Sequence, residues 1–265
     1  AGRPFRSWWG GGGSRAFPSG KCGGLAAASR AGSGAPADLA RVVGDSLVDA
    51  NLAGHDSHGV LRLPSYCGSL QAGDILPAAR AIVASHNRAT ARIDGGWGWG
   101  QPAMLLATDT AIELAREFAI GAAVVDRCYH IGRAAPHFER IAPAGAIGIA
   151  MAHACPAVAP FGGRDRVLGT NPFAWAMPHG EGAEPLSFDA ATAGIAAGKL
   201  MVARSKGEQV GPGLLVDADG EPTQDPDDFI NGGALLPFGG HKGSGISILV
   251  QMLGRTLSGV FATDF

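Results

Sequence analysis

The sequence is short of charge. Of its 265 residues only 17% are Asp, Glu, Lys or Arg, against about a quarter in an average globular chain. The 21 basic and 23 acidic residues leave a formal net charge of −2, so the domain-wide basic footprint of a nucleic-acid-binding protein is missing. Long apolar runs are missing too. The longest, from Ala144 to Phe161, holds His153 and is broken by Pro156, so no segment offers the roughly 18 uninterrupted apolar residues of a membrane-crossing helix. The four cysteines, Cys22, Cys67, Cys128 and Cys155, form no CxxC pair and no zinc-ribbon spacing, and so no redox motif or structural zinc site. No Asn-x-Ser/Thr acceptor and no internal repeat occurs. The expectation is a soluble, cytoplasmic protein with reduced thiols, binding neither nucleic acid nor membrane.

What is present is apolar and rich in glycine. Hydrophobic residues make up 46% and glycines number 42, roughly twice ordinary usage, a composition that is neither disordered nor collagen-like. Residues 1–34 differ from the rest: ten Gly, five Ser, five basic residues and no acid before Asp38. Runs such as Gly10–Gly13 cost too much backbone entropy to fold cheaply, so this leader is expected to be disordered or non-native. An organelle-targeting peptide has a similar composition but also an amphipathic pattern, which is absent here.

From Asp38 onward the pattern is globular. Leu39, Val42, Val43 and Leu47 lie on one helical face, with Asp38 as N-cap and a stop at Gly54. Residues 80–94 read as two short strands about His86-Asn87. A helix follows over 103–118 with Leu105, Ile112 and Ala115 buried, then a short buried strand at 122–125 and a helix over 134–142. Strands are expected near 147–151, 173–177 and 186–188, a helix over 192–205 closed by Gly207, and a turn at Asp219-Gly220. A last helix over 245–257 would bury Ile246, Leu249, Val250 and Leu253. Helices alternating with short strands define an α/β or mixed-sheet α+β protein.

Polar chemistry concentrates in four places. The segment GHDSHGVLR, Gly54 to Arg62, sets Asp56, Ser57, His58 and Arg62 just past a helix end. A histidine titrating near neutrality can give and take a proton, a hydroxyl can orient it, and a guanidinium fork suits a carboxylate. The alternative is a polar turn with an incidental histidine. His55 and His58 could share a metal face only on a helix, which the glycines oppose, so no metal is expected. G-x-S-x-G fails because His55 stands two residues before Ser57. The segment GWGQPA, residues 98–103, satisfies G-x-G-x-x-A after a strand and before a helix, with Asp126 ending the next strand. Trp97 and Trp99 crowd that turn, so a glycine-aromatic packing loop is the preferred reading. PFGGHKGSG, Pro237 to Gly245, opens a helix with Lys242 beside unpaired backbone N–H groups and could hold a phosphate or simply enter a helix tightly. Finally, His130 stands between a strand and a helix, and LGTNP and LSFDAAT reach strand edges.

Taken in order, ADLARVVGDSLVDANLAGHDSHGVLRLPSY, YHIGRAAPHFERIAPAGAIGIAMAHACPAVAPFGG, LGTNPFAWAMP, DAATAGIAAGKL and GGALLPFGGHKGSGISILVQML resemble the malate/L-lactate dehydrogenase family of the non-Rossmann type. That family also includes ureidoglycolate and sulfolactate dehydrogenases and the piperideine/pyrroline-2-carboxylate reductases. The resemblance runs from about Ala35 to Val260. It implies a mixed-sheet, sulfolactate-dehydrogenase-like α/β fold, and so a structural role for Trp97–Gln101. It divides the chain into the leader 1–34, a helical substrate-side segment 35–120 with the SHG motif, and an NAD(P)-binding sheet region 121–265.

It also implies hydride transfer between NAD or NADP and a 2-oxo or 2-hydroxy acid. His58 and Ser57 would be catalytic, with His130 sharing the acid/base role, while Arg62, Thr170 and Gly198 would meet the substrate. Cofactor contacts would come from His130, Ile131, Gly132, Arg133 and Ala134, from Asp189, Ala190 and Ala191, and from His241 and Lys242. Lys199 follows the malate/lactate pattern rather than that of the cyclic imine reductases. Against the family pattern the chain looks truncated at its C-terminus, which leaves a non-catalytic remnant as a competing reading. Family members are usually homodimers, and the same is expected here.

Overall fold

Leu39, Val43 and Leu47 recur at the spacing of helical turns, and they form the buried face of α1 (Ala37–Leu52). The computed structural model describes residues 34–180 and 182–256, so the expectations for the leader and for the helix end at Leu257 lie outside the described residues. After α1 come two short 3₁₀ turns (Asp56–His58 and Val60–Arg62), α2 (Leu63–Ala72), β1 (Ile82–Asn87), β2 (Thr90–Gly98), α3 (Gly100–Phe118) and β3 (Ala122–Cys128). Then follow α4 (Ala135–Glu139), β4 (Gly148–Met151), β5 (Phe173–Met177), β6 (Leu186–Ala190) and α5 (Ala197–Lys206). The described chain ends with β7 (Leu215–Val216), β8 (Pro222–Thr223), α6 (Pro226–Ile230), β9 (Ala234–Leu235) and α7 (His241–Gln251), which runs into a wider π-turn over Met252–Thr256. No helix among the described residues is long and apolar enough to cross a membrane.

The chain divides into two units. The first takes residues up to 82 together with 94–104 and 127–133. Its core is Leu39, Val43, Leu47, Tyr66, Ile75 and Trp99, so α1 and α2 pack on the glycine-aromatic turn that follows β2. Asp38 does not cap α1 as expected. Pro36 holds the cap position, where its missing N–H costs nothing, and Asp38 in the first turn takes two hydrogen bonds from Arg80 at 2.7 and 2.9 Å.

The second unit takes residues 83–93, 105–126 and 134 onward. Here β4, β5 and β6 form an antiparallel sheet in that order, with Phe173 opposite Ala190 and Met177 opposite Leu186. Alternation along β5 turns Ala174 and Ala176 inward against Phe138 of α4, while Trp175 stacks on its cross-strand partner Phe188 at 6.0 Å on the other face. A second core of Val158, Leu168, Leu200, Leu215 and Leu235 gathers α5 and the small sheet β8-β7-β9. The turn at Asp219-Gly220 appears as expected: Gly220 has φ +92° and the Asp217 carboxylate accepts the N–H groups of Asp219 and Glu221.

Several local expectations are corrected. The helix over 134–142 is only the short α4 plus a turn at Ala142–Ala144, and α5 begins at Ala197 rather than 192. Leu105, Ile112 and Ala115 of α3 are half-buried, and β3 is mostly half-buried instead of a core strand. The largest difference lies in α7. It starts at His241 and turns Gly243, Ser244, Ser247, Val250 and Gln251 inward, leaving Ile246 and Leu249 37% and 51% exposed. Its inner face is polar because it meets a buried asparagine, described below.

Candidate active site

In the first unit the site is built by the loop that leaves α1. The Asn51 side chain accepts the Val60 N–H at 2.8 Å and donates to Asp56, folding residues 54–62 back on the helix end. A Cβ at Gly59 would come within 2.2 Å of Asn51 Oδ1, so a larger residue there would displace the side chain that holds the loop. The tight 3₁₀ turns set the Ser57 hydroxyl 3.0 Å from His58 Nδ1. Arg62 donates from Nε to the Ser57 carbonyl at 2.8 Å. Its two terminal nitrogens take no partner among the described residues, so the fork is anchored at one edge and open at the other.

His130 comes to the same place from the end of β3. The Tyr129 N–H donates to the Gly98 carbonyl, and a Cβ at Gly100 would sit 2.2 Å from the Tyr129 carbonyl oxygen. The two backbones can pass only because residue 100 is glycine. His130 then stacks on His58, with ring centroids 5.6 Å apart and 25° between planes. Its Nδ1 lies 2.8 Å from the Tyr66 hydroxyl and accepts the Gly132 N–H at 3.3 Å. Gln101, 1% exposed, donates from Nε2 to the same hydroxyl at 2.9 Å. Burial, aided by the nearby charges of Arg62 and His58, pushes the His130 pKa down to about 3. Burial likewise raises Tyr66 to about 12.

These distances bring Ser57, His58, Arg62 and His130 together, with Ile131, Gly132 and Arg133 immediately after. Arg133 pairs with Asp49 at 3.2 Å. The GWGQPA turn is a packing device: Trp99 is buried against Tyr66, Gln101 faces Tyr66, and Asp126 is engaged by Arg92 at 2.9 Å. Sequence reasoning missed Tyr66 altogether. No local signal marks it, because its partners stand 35 and 64 residues away.

In the second unit Thr192 joins segments that carry several of the remaining candidates. Its N–H and hydroxyl both donate to the Thr170 carbonyl, and its own carbonyl accepts the Phe238 N–H at 3.0 Å. The LGTNP loop, the end of β6 and the entry to α7 thus meet at one residue. Asn171, fully buried at φ +36°, pins this junction: its Nδ2 donates to the carbonyl and hydroxyl of Ser247 and to Gln251, and its Oδ1 accepts the Ala154 N–H. Asp189 accepts the Ala135 N–H at 2.9 Å, beside Ala134. Ala190 and Ala191 continue toward Thr192. Gly198 lies in the first turn of α5.

His241 and Lys242 open α7 in an exposed position, with His241 edge-on to Phe161 at 5.8 Å. Next to them is a cavity of about 560 Å³ bordered by Phe161, Gly194, Leu214, Leu236, Gly239 and Gly240. Among the described residues, no group of three or more His, Cys, Asp or Glu side chains stands where it could hold a metal ion.

Residues 24–264 match the malate/L-lactate dehydrogenase family, and the chain belongs to it. It is 40% identical over 233 residues to malate dehydrogenase of Pyrococcus abyssi, an alignment covering 85% of this chain and 64% of that protein. It is 37% identical over 221 residues to the Δ(1)-pyrroline-2-carboxylate/Δ(1)-piperideine-2-carboxylate reductase of Pseudomonas putida, covering 83% and 64%. The chain thus spans just under two thirds of these relatives' length.

Among solved structures, Δ(1)-piperideine-2-carboxylate reductase of Pseudomonas syringae superposes with a TM-score of 0.85 at 34% identity, covering 92% of this chain and 75% of that one. Sulfolactate dehydrogenase of Methanocaldococcus jannaschii gives 0.79 at 38%, covering 87% and 66%. The fold is the mixed-sheet α/β fold of these enzymes and not a Rossmann fold, as the resemblance implied.

Proposed function

We propose that the protein is an NAD(P)-dependent oxidoreductase that interconverts a 2-oxo acid and its 2-hydroxy acid. The observation that carries this is the Arg62 guanidinium, held through Nε by the Ser57 carbonyl, beside the stacked imidazoles of His58 and His130. An open fork next to a proton donor is what a 2-oxo carboxylate requires: one group grips the carboxylate while another serves the neighbouring carbonyl.

A nicotinamide dinucleotide, when bound, supplies the hydride. The second unit suits such a group. The positive end of α7 with Lys242 favours a phosphate, and the adjoining cavity has the volume of a small-molecule site. Within that unit the residues proposed to hold it are Ala134, Asp189–Ala191, His241 and Lys242.

In the reducing direction, hydride adds to the carbon next to the carboxylate and the carbonyl electron pair moves onto oxygen. His58, as imidazolium oriented by Ser57, gives its proton to that oxygen and is left neutral until solvent reprotonates it. Such a transfer contributes typically 10²–10⁴-fold. The second reading is reduction of a cyclic imine acid, where the nitrogen takes the proton instead; the two reductase relatives at 37% and 36% identity fit it, but no better than the dehydrogenase relatives fit the first.

A homodimer in the cytoplasm belongs to the same proposal. The test is titration of the chain with NADH and NADPH by nicotinamide fluorescence, followed by turnover of pyruvate, oxaloacetate, sulfopyruvate and piperideine-2-carboxylate. Saturable binding with turnover of an oxo acid supports the proposal, and turnover of the imine alone transfers it to the second reading. A folded chain that binds neither cofactor overturns both.

A further inference from the structure

A histidine with two chemically distinct nitrogens is defined by whatever grips one of them. On His130 that grip comes from Tyr66, whose hydroxyl is 2.8 Å from Nδ1. We propose that Tyr66, aimed by Gln101, is a positioning residue that holds His130 in the neutral form protonated on Nε2, so that His130 offers the substrate a hydrogen-bond donor and leaves proton exchange to His58.

The direction of the relay follows from what each group can do. The Gln101 amide nitrogen only donates, and it points at the Tyr66 oxygen at 2.9 Å. That leaves the Tyr66 proton for His130. Reversing the amide would turn the Tyr66 proton away from the imidazole and ask Nδ1 to donate. The Gly132 N–H opposes this independently: it also points at Nδ1, at 3.3 Å, and a backbone N–H cannot accept. With two donors aimed at it, Nδ1 must carry its lone pair, and the neutral ring must carry its proton on Nε2.

The surroundings keep the ring neutral. Buried as it is, with Arg62 and His58 nearby, His130 takes up a proton only near pH 3. Tyr66, also buried, keeps its own proton to about pH 12. The aim has a cost, since Gln101 Oε1 is buried with no partner among the described residues. Tyr66 itself is fixed by packing, 2% exposed between Trp99 and Tyr129 with ring centroids 5.7 Å away on each side.

The chemical consequence is a division of labour between two histidines. A neutral imidazole N–H stabilises a developing oxyanion without giving up its proton, while His58, its Nδ1 3.0 Å from the Ser57 hydroxyl, remains the proposed proton donor. This use of Nε2–H rests on the hydride-transfer reading; the tautomer itself does not.

The test is therefore read twice on the full chain. Long-range proton–nitrogen spectra of the histidine rings, assigned with His130→Gln, are expected to show His130 protonated on Nε2 in the wild type. In Tyr66→Phe, which keeps the ring packing, mixed tautomers are expected. The same variant should lose roughly tenfold to a hundredfold in kcat, with KM for the oxo acid and cofactor Kd within about twofold. Gln101→Met should move both readouts the same way. A wild-type His130 protonated on Nδ1 overturns the proposal, and so does a Tyr66→Phe chain whose spectrum and kcat are unchanged. If the tautomers respond but no substrate is reduced, the lock on His130 is supported and the hydride-transfer reading is the one that fails.

Discussion

Arg62 and Ser57 hold each other in an order that suits their use: the guanidinium binds the Ser57 backbone carbonyl, while the Ser57 hydroxyl stays with His58. One backbone atom thereby couples the placement of the proposed carboxylate clamp to that of the proposed proton donor.

Arg62→Lys tests the clamp. An ammonium can neither form the bidentate grip nor reproduce the Nε bond, so KM for the oxo acid should rise roughly tenfold to a hundredfold, the loss of one charge-assisted hydrogen bond. Steady-state kinetics at saturating cofactor checks this. An unchanged KM in a folded variant removes Arg62 from the substrate.

His58→Gln should lower kcat by roughly 10²-fold or more while the dissociation constant for the reduced cofactor stays level. Cofactor fluorescence titration run beside kinetics separates the two. Equal losses in both would show that His58 supports the loop and not the reaction.

His130 makes a pH prediction. Folding lowers its pKa from 6.5 to about 3, so between those values the unfolded chain holds a proton that the folded chain does not. Stability should therefore rise with pH across this window, by at most about 1.4 kcal/mol per pH unit from this group. Burial lowers His153 as well, in the same direction, so the measurement is the difference between wild type and His130→Gln. Urea midpoints from pH 4 to 7 should show a shallower slope in the variant; parallel slopes would contradict the assignment.

Gly100→Ala distinguishes a packing glycine from one that admits a dinucleotide. The added Cβ would meet the Tyr129 carbonyl at 2.2 Å and the His130 carbonyl at 2.5 Å, so the thermal midpoint should fall by several degrees, an effect of about 1–3 kcal/mol. A variant with unchanged stability and selectively lost cofactor binding would restore the Rossmann reading of that turn.

Much of this was legible in the sequence, and the reason is range. Periodicity and turn residues act over a few positions, so α1, the β1–β2 hairpin and the turn at Gly220 were placed from local pattern alone. The cluster Ser57, His58 and Arg62 was visible for the same reason: it occupies one loop. The family motifs add His130, Asp189 and Lys242 as candidates.

Other features depend on contacts that local pattern does not encode. Hydrophobicity ranks Ile246 and Leu249 above Ser247 and Gln251 and so points to the wrong inward face of α7, while the buried Asn171 side chain demands polar partners. Asp38 has the residue type of an N-cap, but Arg80 claims its carboxylate instead.

The sequence by itself determined which groups are available: two imidazoles, a guanidinium, a hydroxyl, and a glycine-rich entry to a helix. Only the tertiary structure decided their states. It buried His130 and so kept it neutral, brought Tyr66 and Gln101 to one side of its ring, and stacked it on His58. Protonation and tautomer are set by desolvation and by hydrogen-bond partners distant in the chain, and those exist only once the backbone has closed around them.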